Sequence, residues 1–431
     1  MISPPKFLST KHWWWCGITS LTFLSQTIAS TQEWTVCRWN PHDSLLFTRP
    51  TLGRGTCPLE YDFSPWVVSG HKPYCPQPGD GFESGLPDCV FTVPTFRGSQ
   101  GISLITTPDL AASVADSALD DSTIAPGLRS HLSEDAVSHP PWEVRDLPGR
   151  GKGLVAKQKF RKHQTVMVGF PVLVVRLDFI NGDRYKAKKR QAMLEQAVDQ
   201  LPKEQQRAIF SLAKSSGGHP IIDILRTNGF GVEIDGVQHT ALFTDGSRVN
   251  HNCRPNAFWR YISSAMAMEV VALRNIAPGE EVAHSYAPLG YTLEERKAVL
   301  RSWGFQCRCA LCSAPERERQ ISDSRRERLL EIHQLLNKAS ELQGGYQRVD
   351  ELVREALALV DQEELQPQLV EYYQQFAKAY MAIGDLQQAR EFVKAADQMW
   401  NFYGGEEHEN VEGMKELWNT LREAERELED D

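Results

Sequence analysis

Hydrophobic positions along the chain change period twice. From about residue 321 they recur at helical spacing, first in RRERLLEIHQLLNKASELQ, then in YQRVDELVREALALV. A third stretch, LVEYYQQFAKAYMAIGDLQQAREFVKAADQMW, reads as helix, turn at Gly384, helix. Apolar residues three and four apart predict amphipathic helices that bury one face against their neighbours. Ala377, Tyr380, Gly384, Ala389 and Ala396 fall at the spacing of a tetratricopeptide repeat, although any α-hairpin with small residues at its contact shows the same signal. Upstream the period shortens. Residues 142–144 and 166–175 are β-branched runs bounded by Gly and Pro, and strand-like pieces return at 231–234, 257–262 and 266–273. Residues 185–214, rich in Ala, Lys and Gln, predict a helical insert. Short strands around one helical insert predict an α+β domain over 141–312, followed by an all-α, TPR-like domain over 313–431. Residues 31–140 carry much Pro, Gly, Ser and Asp without a sustained period. There 90–93 and 102–106 read as short strands, and 107–140 as a polar connector with a short helix.

Charge sharpens this division. The net charge of −9 over 431 residues conceals a reversal of sign. Residues 1–140 hold 8 basic and 13 acidic side chains, 141–312 hold 25 and 16, and 313–431 hold 14 and 27. A basic middle suits an anionic cofactor or a partner with acidic patches. The first 30 residues run from Lys6, Lys11 and His12 through an apolar stretch to Ala29 and Ser30. That order matches a secretory signal peptide cleaved after Ala29, and the stretch is short for a bilayer span. The other reading is a hydrophobic N-terminal segment docked on the core. Beyond it, Cys37, Cys57, Cys75 and Cys89 are enough for two disulfides in an oxidising compartment, or remain four free thiols.

Four motifs follow in order. Pro148-Gly149-Arg150-Gly151-Lys152-Gly153-Leu154 is a glycine-rich turn between strand-like runs. Arg248-Val249-Asn250-His251-Asn252-Cys253-Arg254-Pro255-Asn256 is a rigid polar turn. Gly279-Glu280-Glu281-Val282-Ala283-His284-Ser285-Tyr286 leaves a Pro-Gly turn for a strand. Cys307, Cys309 and Cys312 stand in C-x-C-x-x-C spacing, where three thiolates converge on one zinc; Cys253 is the candidate fourth ligand.

This order resembles SET-domain lysine methyltransferases, most nearly the subgroup of SET- and MYND-domain enzymes and their fungal relatives. The resemblance covers 142–312 and extends to that subgroup's helical C-terminal domain. It implies a fold of short sheets with a zinc-binding post-SET segment, and transfer of a methyl group from S-adenosylmethionine to a protein lysine. By the same resemblance Lys152 and Gly153 touch the cofactor's amino-acid end. Asn250 and His251 hold the cofactor, Phe305 closes over it, and Tyr286 is the catalytic tyrosine. Cys253, Cys307, Cys309 and Cys312 bind structural Zn2+. The expected partner is a protein presenting a lysine to a monomeric enzyme, without direct nucleic acid binding or a membrane span. Three departures stand out: Asn252 replaces a small serine, His284 a hydrophobic or hydroxyl residue, and no cysteine lies between 154 and 252 for a MYND finger. A second reading is an inactive SET fold serving as an interaction module. Methyl-donor chemistry and reduced thiolates suit cytoplasm or nucleus, whereas the N-terminal segment points to the secretory pathway.

Overall fold

The computed structural model describes residues 71–76, 87–98, 100–117, 119, 124, 128, 138–405 and 409–430. The N-terminal signal-like segment, Cys37 and Cys57 lie outside them.

The central sheet has the order β1-β2-β6-β8-β7, with β1 at Cys89–Val93, β2 at Ile102–Thr106, β6 at Leu173–Arg176, β7 at Phe230–Ile234 and β8 at Val237–Leu242. Only β2 and β6 pair in parallel; the other neighbours are antiparallel. Side chains alternate across a strand, so register decides which face each one covers. Leu104, Val174 and Ala241 align and point into one apolar core. Ile105, Val175 and Leu242 point into another. That second face is covered by the helical insert, α2 (Leu177–Asn181), α3 (Ala187–Asp199), α4 (Lys203–Phe210) and α5 (Pro220–Asn228). The sheet therefore takes strands from both sides of residue 140, and the stretch read as connector contains the helix α1 (Pro108–Ser117), packed on the first core.

A hairpin of β3 (Trp142–Leu147) and β4 (Gly151–Ala156) precedes β5 (Thr165–Gly169). The apolar run at 166–175 is thus two strands, because Pro171 cannot donate to a ladder and ends the first. β5 joins an antiparallel sheet with β10 (Ala257–Ile262) and β11 (Ala267–Ala272). Two residues each of β9 (Asn250–His251) and β12 (Ala283–His284) pair in parallel. Cys75 and Cys89 form a disulfide beside the Tyr74–Val90 bridge, while Cys253, Cys307, Cys309 and Cys312 remain thiols.

Beyond α6 (Leu293–Leu300) and the single turn α7 (Ala310–Ser313) the chain is helical: α8 (Glu316–Leu336), α9 (Gly345–Gln362), α10 (Leu369–Ala382), α11 (Leu386–Tyr403) and α12 (Glu409–Asp430). These helices share one core, in which Ala377, Tyr380, Ala389 and Ala396 are buried between α10 and α11. Gly384 turns the chain at φ +78°, a conformation that favours glycine. No described helix is long and apolar enough to cross a membrane.

Candidate functional site

The site is assembled from loops rather than from the regular elements that carry them. The glycine-rich turn closes the β3–β4 hairpin, with Gly149 and Gly151 at φ +71° and +68°. Gly153 lies further along β4, where a Cβ would collide with Leu147 and come within 2.8 Å of the Asn250 side-chain nitrogen and 2.9 Å of Glu281 Oε1. Glycine is therefore required here for close approach, not for backbone conformation.

The polar turn at 250–256 lies against the segment leading to Tyr286. Asn256 makes the join: its Nδ2 donates to the Glu281 carbonyl at 2.8 Å and to Glu280 Oε1 at 3.0 Å, while its Oδ1 accepts from Ala283 N at 2.8 Å. Asn250 Nδ2 donates to Glu281 Oε1 at 2.8 Å and to the Lys152 carbonyl at 3.4 Å. Arg150 pairs with Glu281 at 2.9 Å and donates to the His251 carbonyl at 3.0 Å. Glu281 thus ties the glycine-rich turn to the 250–251 strand. Asn252 Oδ1 accepts from the Arg254 amide at 3.0 Å, so the unusual residue at this position caps its own turn.

His251 is buried and joins two halves of the site. Its Nδ1 accepts from the Tyr286 amide at 2.9 Å, which leaves Nε2 to carry the proton toward Cys253 Sγ at 3.2 Å. Burial lowers its pKa to about 3, so the ring is neutral at ordinary pH. Tyr286 is sunk among rings: His251 at 5.4 Å, His284 at 4.8 Å, Trp303 at 5.6 Å and Phe305 at 6.2 Å between centroids. Its hydroxyl donates to the Val249 carbonyl at 3.0 Å, and burial pushes its pKa well above the usual phenol value. His284 is also buried and neutral, with its pKa lowered by burial to about 4. It packs 5.9 Å from Phe230. Phe305 remains 37% exposed and reaches to 6.1 Å from His251. Lys152, Gly153, Asn250, His251, Tyr286 and Phe305 therefore lie in one region, with Cys253 bonded to His251. Sequence reasoning missed the roles of Arg150, Glu281, Trp303 and Phe230. Arg150 and Glu281 stand within the quoted motifs, and Trp303 lies four residues before Cys307, whereas Phe230 has no signal of its own.

The four cysteine sulfurs lie within 4.8 Å of one another, with Cys253 Sγ 3.5 Å from Cys312 Sγ and 3.8 Å from Cys307 Sγ. A tetrahedron with metal–sulfur bonds of about 2.3 Å has edges of about 3.8 Å, so the cluster is compatible with one zinc. The His251 ring and the Cys309 amide, 3.4 Å from Cys307 Sγ, supply N–H groups of the kind that support such ligands.

Residues 151–287 match the SET domain family model. The chain is 30% identical over 192 residues to the histone-lysine N-methyltransferase set5 of Schizosaccharomyces pombe, covering 44% of this chain and 56% of that one. It is 38% identical over 96 residues to the N-lysine methyltransferase SMYD2 of Gallus gallus, covering 22% of each chain. It is 35% identical over 120 residues to SMYD2-A of Danio rerio, covering 27% of this chain and 25% of that one. The chain thus spans about half, or less, of the curated relatives it matches. Together these findings show that residues 151–287 are a SET domain, similar to the SET domains of lysine methyltransferases of the SET/MYND type.

Proposed function

We propose that this chain is an S-adenosylmethionine-dependent protein-lysine N-methyltransferase. What supports the reading is that Asn250 bonds to Lys152 from 98 residues away, while His251 and Phe305 pack against a half-buried Tyr286. On this reading 141–312 hold the SET and post-SET parts, and 313–431 a TPR-like region.

The residues fit the cofactor. The Gly151–Lys152 backbone is exposed, the Asn250 amide is half-buried beside it, and Phe305 offers an accessible ring. When bound, S-adenosylmethionine supplies an electrophilic methyl group on a sulfonium. Lys152, Gly153, Asn250 and His251 hold it, and Phe305 covers it. A lysine amine, with a pKa of about 10.4 in water, must lose its proton before it can act as nucleophile. Rings of Tyr286, Trp303, Phe230 and Phe305 withhold water and so favour the neutral amine. His284, being neutral, adds no repelling charge. The Tyr286 hydroxyl is fixed by the Val249 carbonyl and keeps its proton, so its lone pairs accept from the amine and orient it. Cys253, Cys307, Cys309 and Cys312 hold one structural zinc that pins 303–312 against the site. The partner is a protein that presents a lysine.

Tyr286→Phe removes the orienting hydroxyl and leaves the ring. Transfer of labelled methyl to protein substrates should fall by about 10²-fold or more while S-adenosylmethionine affinity changes only a few-fold. Equal loss of both would remove Tyr286 from the chemistry.

A further inference from the structure

Next to the cysteine cluster is a group of arginines that the methyl-transfer reading does not use. Arg296 on α6 and Arg326 on α8 are each only 2% exposed, and Arg254 follows Cys253 directly in sequence. One fully buried carboxylate faces them, Glu363, at 3.2 Å from Arg326, 3.3 Å from Arg325 and 3.6 Å from Arg254. The remaining acids are more exposed: Glu364 at 3.8 Å from Arg254, and Asp323 at 4.0 Å from Arg296. Ser322 Oγ also donates to Glu363, and Arg326 donates to the Leu289 and Tyr291 carbonyls. After all these contacts Arg326 Nη2, Arg296 Nε and Arg254 Nε still have no hydrogen-bond partner among the described residues. Buried guanidinium groups in excess of carboxylates are costly unless another negative charge balances them. Arg254 follows Cys253 in the same turn and shares Glu363 with Arg326, which ties the arginine group to the cysteine cluster.

We infer that Arg254, Arg296 and Arg326 are the counter-charge of a dianionic four-thiolate zinc centre, so that helix α8 of the C-terminal region is part of the metal site. The inference rests on the zinc reading above. One Zn2+ with four thiolates carries a net charge of −2, whereas four protonated thiols carry none. Metal loading therefore places negative charge beside the surplus arginines, and docking of α8 strengthens metal binding in return. Arg326 is a positioning and charge-balancing residue here; it is not a ligand.

The test measures zinc affinity of the full chain by competition with a chromogenic chelator, alongside zinc content by native mass spectrometry. Arg326→Met keeps the length and removes the charge; it should weaken zinc binding tenfold or more, as loss of an outer partner commonly does. Arg326→Lys should recover most of that loss. Arg254→Ala, at a half-exposed position that tolerates truncation, should weaken binding in the same direction by less. Glu363→Gln, which removes a negative charge from the same cluster, should leave zinc affinity unchanged or raise it. If all four variants weaken binding alike, or if none does while the wild type holds one zinc, the counter-charge role is wrong. A wild type that holds no zinc overturns the metal centre itself, and the inference with it.

Discussion

The C-terminal helices and the SET region are held together by different means. In α8 to α12 the contacts are apolar and repetitive: Leu352, Ala356, Phe376, Val393 and Ala396 are all buried in one core. Around the candidate site the strands β9 and β12 are two residues long, and polar side chains do the joining, with Asn256, Glu281 and His251 each bonded to a second segment. An apolar core spreads its stabilisation over many side chains. A polar junction concentrates it, since each buried group left without a partner costs free energy. Mutation and pH should therefore act differently on the two regions.

Phe376→Ala gives the largest effect. Phe376 is fully buried against Tyr372, Tyr373 and Phe392, and its truncation should destabilise the helical core by about 3–5 kcal/mol. Calorimetric unfolding should show that loss. Cofactor affinity at 25 °C should stay within a few-fold of wild type, and a large drop would mean that the regions are not energetically distinct.

In the SET region a polar substitution matters instead. Asp223 accepts from the amides of Ser215, Ser216 and Gly217 and from the hydroxyls of Ser216 and Thr227. Burial alone would raise its pKa, but these bonds outweigh burial and hold it at about 2. The loop it organises abuts Gly304, next to Phe305. Asp223→Asn keeps the shape yet loses acceptor strength, at a cost of about 1–3 kcal/mol. Hydrogen exchange should quicken at 215–217, and unchanged exchange would show that the carboxylate does not order this loop.

A third effect is a pH slope. His239 accepts from Thr106 through Nε2 and donates through Nδ1 to the Val237 carbonyl, and burial lowers its pKa to about 4. His284 is lowered to the same level. Both are neutral in the folded protein, and the unfolded chain takes up their protons below about pH 6.5. Their contribution is complete above that pH and is lost as pH falls toward 4, with a slope of about 1.4 kcal/mol per pH unit per histidine. Denaturant midpoints between pH 7 and 4.5 should trace it, and His239→Asn should flatten the curve. An unchanged slope in that variant would remove His239 from the account.

The same contrast explains what could be read from sequence. Helices α9, α10 and α11 announce themselves because periodicity repeats within each one and Gly384 marks the turn. The strands at 90–93 and 102–106 are visible as apolar runs, but not their place in the central sheet, since β2 pairs with β6 some 70 residues later. The cysteines and the Asn-His turn are legible because their chemistry is local and unusual. The packing of Trp303 and His284 on Tyr286, and of Phe230 on His284, is not, because only the folded chain decides which rings meet. Nor is the surplus of buried arginines, which depends on Glu363 lying beside residues from two other segments.

The most direct test of the central claim is calorimetric titration of the full chain with S-adenosylmethionine, with Asn250→Ala as control. The full chain is needed because trimming at residue 141 would remove β1 and β2 from the central sheet. Saturable one-to-one binding that Asn250→Ala weakens at least tenfold is the expected result. No binding to a folded chain would contradict the methyltransferase reading and favour an inactive SET fold acting as an interaction module.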